Sequence, residues 1–288
     1  PAALFLGAVL LQAAPSVYAP PHACDSCHVE IARKYWQSNM GRSMTERPRV
    51  QAGTYRHTKS NRAYEVTQTS AGWVQRRSSP LPGSSPFEQL ITHAIGSGHH
   101  AQSYLHLAAS GQLTQLPLTW YAQGAHWAMS PGYDRPRHYD FARVVEPGCL
   151  FCHAAYPPDS ARGPAGAIDC QRCHGPGAAH VLLAGKGTTA DVVRASIVQP
   201  ARLPLSRRRD VCFQCHLQST SLPLPHALRK AGRGVFSFRP GEPLADYLVQ
   251  FEPEAEVNRG IEINSHGYRL TRSACYQKAS ALTCTTCH

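Results

Sequence analysis

Five copies of Cys-x-x-Cys-His constrain this 288-residue chain more than any other feature. They are Cys24 to His28, Cys149 to His153, Cys170 to His174, Cys212 to His216 and Cys284 to His288. With 11 cysteines and 16 histidines, a shuffled chain of this composition would hold about 0.02 such motifs. Cys-x-x-Cys-His is the attachment signature of c-type haem. The two thiols add to the vinyl groups, and the histidine binds the iron from one side. On one helical turn, positions i, i+3 and i+4 share a face, so one porphyrin edge can meet all three side chains. Zinc ribbons also pair cysteines in this way but do not need a histidine after each pair. A thioredoxin-like site needs one pair beside a βαβ pattern, which the chain lacks. The expected cofactor is therefore five covalent haem c groups. They are bound through Cys24, Cys27, Cys149, Cys152, Cys170, Cys173, Cys212, Cys215, Cys284 and Cys287, with proximal ligands His28, His153, His174, His216 and His288. Cys275 is left over and is expected to be a buried free thiol.

A six-coordinate haem needs a second axial ligand. Eleven histidines lie outside the motifs (His22, His57, His93, His99, His100, His106, His126, His138, His180, His226 and His266), besides Met40, Met44 and Met129. His180 is the foremost candidate. It follows His174 through Gly175-Pro176-Gly177, which breaks a helix and re-aims the chain toward a neighbouring porphyrin. Met40 stands 12 residues after His28, about 18 Å along a straight helix, so it would serve a haem other than the first. His100, of the His99-His100 pair after a Gly-rich turn, completes the set.

The opening run of apolar residues, broken at Pro15 and ending Val17-Tyr18-Ala19, reads as a signal peptide over 1–19. It is shorter than a membrane span, and no later segment could span. The chain is expected to be periplasmic or otherwise exported, and both ends read as truncations of a longer protein. The formal charge is +11. Each haem brings two propionates, so five offset roughly 5 to 10 of those charges. Arginine forks suit such carboxylates, and Arg207-Arg208-Arg209 is a candidate clamp. No basic patch interleaved with aromatics is present, so nucleic acid is not an expected partner.

The fold expected is mainly α and irregular, with a small antiparallel β-rich insertion. A first haem segment covers 20–47, the β-rich insertion 48–140 and a four-haem segment 141–288. The alternation in Thr54 to Thr58 and Ala63 to Thr69, with a turn at Ser70-Ala71-Gly72, carries the β reading. Residues 181–197 and 222–232 are the clearer helix candidates. Gly and Pro number 22 and 23, which implies a loop-rich chain whose core the cofactors help to fill.

Trp36-Gln37-Ser38-Asn39 after the first motif, and Cys170 to His174 followed by Gly175-Pro176-Gly177 and His180, resemble the cytochrome c-554 class of multihaem cytochromes. That class commonly has histidine where this chain has Met40. Tyr268-Arg269-Leu270 and Ser273-Ala274-Cys275 before the fifth motif are similar to bacterial multihaem proteins in which a tetratricopeptide-repeat domain follows. The resemblance implies an exported electron carrier with redox-protein partners and a C-terminal repeat domain in the full-length protein. Two alternatives remain open: an oxidoreductase acting on a small nitrogen or sulfur compound, which needs one open iron, and a haem-based sensor or scaffold. No Cys-x-x-Cys-Lys motif of the kind many multihaem nitrite reductases use is present, and spare ligands abound, which favours the carrier.

Overall fold

The computed structural model describes residues 18–78, 86–155, 166–217, 227–251, 266–279 and 281–286. Most of the signal-peptide stretch, along with His226, Cys287 and His288, lies outside them.

Alternating sequence builds the centre of the molecule. Strands β2 (Gly53–His57), β3 (Arg62–Thr69), β4 (Gly72–Arg77) and β5 (Phe87–Leu90) form a four-stranded antiparallel meander. In β3, Tyr64 and Val66 point inward and are buried, while Glu65 between them stays accessible, the period-2 pattern of a half-buried strand. A larger antiparallel sheet joins β1 (Met44–Glu46), β6 (His93–Ile95), β7 (Ala101–Leu107), β8 (Leu113–Tyr121), β9 (His126–Met129) and β10 (Arg143–Val144). Its order is β1-β6-β7-β8; one edge of β8 takes β10 along its first half and β9 along its second.

The two sheets enclose an aromatic core of Tyr64, Val66, Tyr104, Leu116, Leu118, Trp127 and Tyr133. Gln75 of β4 is fully buried there and clasps the backbone of Leu118 in β8. Its Nε2 donates to the carbonyl and its Oε1 accepts from the amide, both at 2.8 Å. Gly53 has no side chain for a packing reason: a Cβ there would meet the Trp127 ring at 2.6 Å.

The other face of the larger sheet carries Met44, Ile95, Leu105, Leu107 and Leu113, which pack on Leu150 and Ala154 of the second motif's segment. The β-sandwich therefore serves as a floor for the haem-motif region. That region is built of short helices: α1 (Val29–Tyr35), α2 (Pro147–His153), α3 (Gln171–His174), α4 (Ala178–Gly185), α5 (Ala190–Ala195), α6 (Leu205–His216), α7 (His266–Arg272) and α8 (Ala274–Lys278). A two-stranded ribbon, β11 (Ala227–Arg229) with β12 (Leu248–Gln250), and a core of Phe151, Phe213, Phe238, Leu244 and Tyr247 complete it.

Two expectations are corrected. The chain is not mainly α. Among the described residues twelve antiparallel strands in three sheets dominate, and no helix exceeds the 12 residues of α6. Pro and Gly cut the motif region into helices of one to about three turns, while β1 and β10 enlarge the sheet beyond a small insertion. The helix expected over 222–232 is also not found where it is described, since residues 227–229 are strand β11. Strand pairing to β12, with Gly232 at φ 76° just beyond, wins over the local helical pattern.

Candidate haem-binding site

Each described motif closes on a single turn. The amide of His28 donates to the Cys24 carbonyl and that of His174 to the Cys170 carbonyl, both at 3.0 Å. The second motif occupies α2, where Pro147 starts the helix without losing a needed donor. The fourth fills the end of α6. Cys284 lies in a 3-10 turn, which Arg209 holds against α6 by donating from Nε (3.2 Å) and Nη2 (2.9 Å) to the Leu282 carbonyl.

Side chains around the motifs fix them to one another. Trp36 Nε1 donates to Asp25 Oδ2 at 3.0 Å, bracing the first motif. Tyr35 donates to the Ile168 carbonyl at 2.8 Å, just before the third. Gln171, inside the third motif and buried, accepts from the amides of Ala19 (2.7 Å) and Gly177 (3.0 Å) and donates to the Ala19 carbonyl. Ala19 is itself buried, so cleavage directly after it would remove these contacts. Ser43, also buried, donates to the His153 carbonyl at 2.9 Å and accepts from the Ile168 amide at 3.0 Å.

Cysteines of different motifs lie close enough to perturb one another's ionisation in three places: Cys24 with Cys170, Cys152 with Cys215, and Cys212 with Cys284. The first motif thus abuts the third, and the fourth abuts both the second and the fifth. Burial pushes the Cys170 and Cys173 thiols up to about 12 and about 11, so both are protonated at neutral pH. Cys275, expected buried, is exposed on α8.

The histidines are poised by their second nitrogen. A carbonyl can only accept, so His174 Nδ1, 2.9 Å from the Val198 carbonyl, carries the proton and leaves Nε2 bare. His180 does the same with the Val193 carbonyl at 2.9 Å. This is the arrangement by which backbone carbonyls orient metal-binding imidazoles.

Gly175, at φ 75°, ends α3 directly after His174; α4 then begins at Ala178 and carries His180. The result places the His180 ring against His28 of the first motif. The ring centres are 6.4 Å apart and the planes 16° from parallel. Two imidazoles bound to one metal from opposite sides, at about 2 Å each, have centres about 6 to 6.5 Å apart. His216 and His266 stand at 6.1 Å with a 41° tilt. In ring-centre spacing both pairs match two imidazoles that share one iron. The apolar side chains around the first pair are left open to solvent, as a porphyrin-covering surface requires: Val29 and Ile31 on α1 are 58% and 69% exposed, and Leu182 on α4 is 57% exposed.

Among the described residues no three His, Cys, Asp or Glu side chains converge on one point. A porphyrin supplies four equatorial nitrogens itself, so facing histidine pairs are sufficient for it.

Met40 is 44% exposed. His100 is exposed, its ring centre 4.5 Å from that of His99 and its plane tilted by 47°. Arg207 pairs with Asp210 at 3.3 Å, and Arg208 donates to the Ala201 carbonyl. His266 was only one of many spare histidines in the sequence. No local signal marks it, because its partner is 50 residues away.

No protein-family model matches the chain, and no curated protein is similar to it in sequence. A solved structure with similarity is that of the outer cell wall cytochrome OcwA, at 15% identity and a TM-score of 0.48. The match covers 81% of this chain and 45% of that one, so the chain spans less than half the length of that cytochrome. Among the described residues no helix is long and apolar enough to cross a membrane.

Proposed function

We propose that this chain is an exported c-type cytochrome that carries electrons through five covalently attached haems. The observation that carries this reading is the fivefold Cys-x-x-Cys-His repeat. The His28–His180 pair, spaced and oriented as two ligands of one iron, supports it.

When bound, each haem supplies an iron that alternates between ferric and ferrous states. The protein's part is to anchor, orient and insulate. Cysteines at i and i+3 fix the porphyrin edge, and histidines with bare Nε2 atoms hold the iron. His180 would close the first site and His266 the fourth. Cysteine contacts between first and third, second and fourth, and fourth and fifth motifs put the attachment edges side by side, which suits electron hopping between neighbours. On this reading the partners are redox proteins, export precedes haem attachment, and the likeness of the segment before the fifth motif to bacterial multihaem proteins with a following tetratricopeptide-repeat domain implies such a domain in the full-length protein.

The test is to express the chain with a c-type maturation system and count haems by intact mass. Five haems are expected. His180→Ala should keep all five and convert one from low-spin to a carbon-monoxide-binding form. A product with no covalent haem would overturn the proposal.

A further inference from the structure

His93 is the buried histidine with no assigned purpose. It sits in β6, 5% exposed, and its Nε2 has no hydrogen-bond partner. Its tautomer follows from its neighbour. Thr92 Oγ1 has one proton and donates it to the Leu105 carbonyl (3.2 Å). The same oxygen accepts from the Leu107 amide (2.8 Å), so it can only accept again from His93, whose Nδ1 lies 2.9 Å away. Nδ1 therefore carries the proton. Nε2 is a bare lone pair in a dry site, which is costly to leave unmatched.

The sheet face that carries His93 follows from strand register. His93 pairs with Leu105 and lies two residues from Ile95, so it shares their face of the larger sheet. That face packs on Leu150 and Ala154, the segment of the second motif. The strand is pinned there as well. The Gly96 amide donates to the Ser43 carbonyl at 2.8 Å, and Ser43 Oγ holds the His153 carbonyl. His93 is three residues along from that pin, about 10 Å by strand rise.

We propose that His93 Nε2 is the second axial ligand of the haem iron held by His153, with Thr92 as the positioning residue that fixes its tautomer. The inference rests on the electron-carrier reading. It makes the β-sandwich a ligand donor to the haem region as well as its floor.

The test uses the loaded chain with three variants. Haem count in the unaltered chain reports on the carrier reading; spin state at full loading reports on His93. His93→Gly should retain five haems and turn one high-spin. That haem should bind carbon monoxide, and added imidazole should return it to low spin. Thr92→Val should keep every haem low-spin but raise the potential of one, because the imidazole loses the hydrogen bond that makes it a stronger donor. In a Cys149→Ala/Cys152→Ala background, which lacks the second haem, His93→Gly should open no further iron. Five haems that all stay low-spin in His93→Gly would overturn the proposal, as would an open iron that persists in the Cys149→Ala/Cys152→Ala background. Should His93→Gly fail to load, an unshifted set of potentials in Thr92→Val overturns it instead.

Discussion

Replacing Ser43 with alanine deletes one oxygen atom and should loosen three parts of the molecule together. The hydroxyl donates to the His153 carbonyl (2.9 Å) and accepts from the Ile168 amide (3.0 Å). Both Ser43 and Ile168 are buried, at 6% and 7% exposure, so water cannot readily replace the lost partner. A buried amide left without an acceptor costs about 1 to 3 kcal/mol, and the carbonyl, with a second lone pair, costs less. The expected loss is about 2 to 3 kcal/mol, roughly a 30- to 150-fold change in the folding equilibrium. Removing one oxygen leaves little cavity, so the effect is nearly all hydrogen bonding. Guanidinium unfolding of the haem-loaded chain, followed by far-ultraviolet circular dichroism, measures the total. Hydrogen exchange should show protection of the Ile168 amide falling by a comparable factor, with β3 and β4 unaffected. A loss below about 0.5 kcal/mol with Ile168 still protected would show that Ser43 does not tie the sheet to the second motif, and would weaken the placement of His93 as well.

Three further outcomes follow from other parts of the structure. Gln75→Leu leaves both the amide and the carbonyl of Leu118 unmatched between the sheets, and should cost about 2 to 4 kcal/mol in the denaturation midpoint. A neutral result would mean the clasp is dispensable. His266→Ala should open one iron in five to carbon monoxide, as read by ferrous difference spectra, while His100→Ala should open none. Burial, with the Arg62 charge adding to it, holds His138 below the ordinary imidazole value. The unfolded chain then binds the extra proton first. The stability from neutral His138 is complete above about pH 6.5 and is lost as pH falls through the lower folded value. Protonation must break the bond from the Asp140 amide to His138 Nδ1, at 3.1 Å. Unfolding midpoints at pH 7.5 and 5 should therefore differ less in His138→Gln than in the unaltered chain; an equal pH slope would refute this.

The candidate haem-attachment motifs are legible in the sequence because their geometry is local. A thiol at i, a second at i+3 and an imidazole at i+4 meet on one turn whatever surrounds them, and the four described motifs that lie fully in the structure do close such turns. The strands around Tyr64 and Val66 were readable for the same reason, since period-2 alternation is a property of a few consecutive residues. The balance of helix and sheet was misjudged, because β1 and β10 are two or three residues long and exist through their pairing with β6 and β8. Local pattern likewise suggested a helix where Ala227–Arg229 instead finds a partner strand.

The sequence by itself determined which side chains can carry a haem, and the Gly175-Pro176-Gly177 break that re-aims His180. Which histidine faces which was decided by tertiary structure alone. His180 meets His28 across 152 residues, His266 meets His216 across 50, and strand register puts His93 on the sheet face that packs on the second motif's segment. Met40 is exposed, and His100 lies exposed beside His99. Donor chemistry belongs to a residue, but facing a partner at 6 Å belongs to the packing of sheets and turns far apart in the chain.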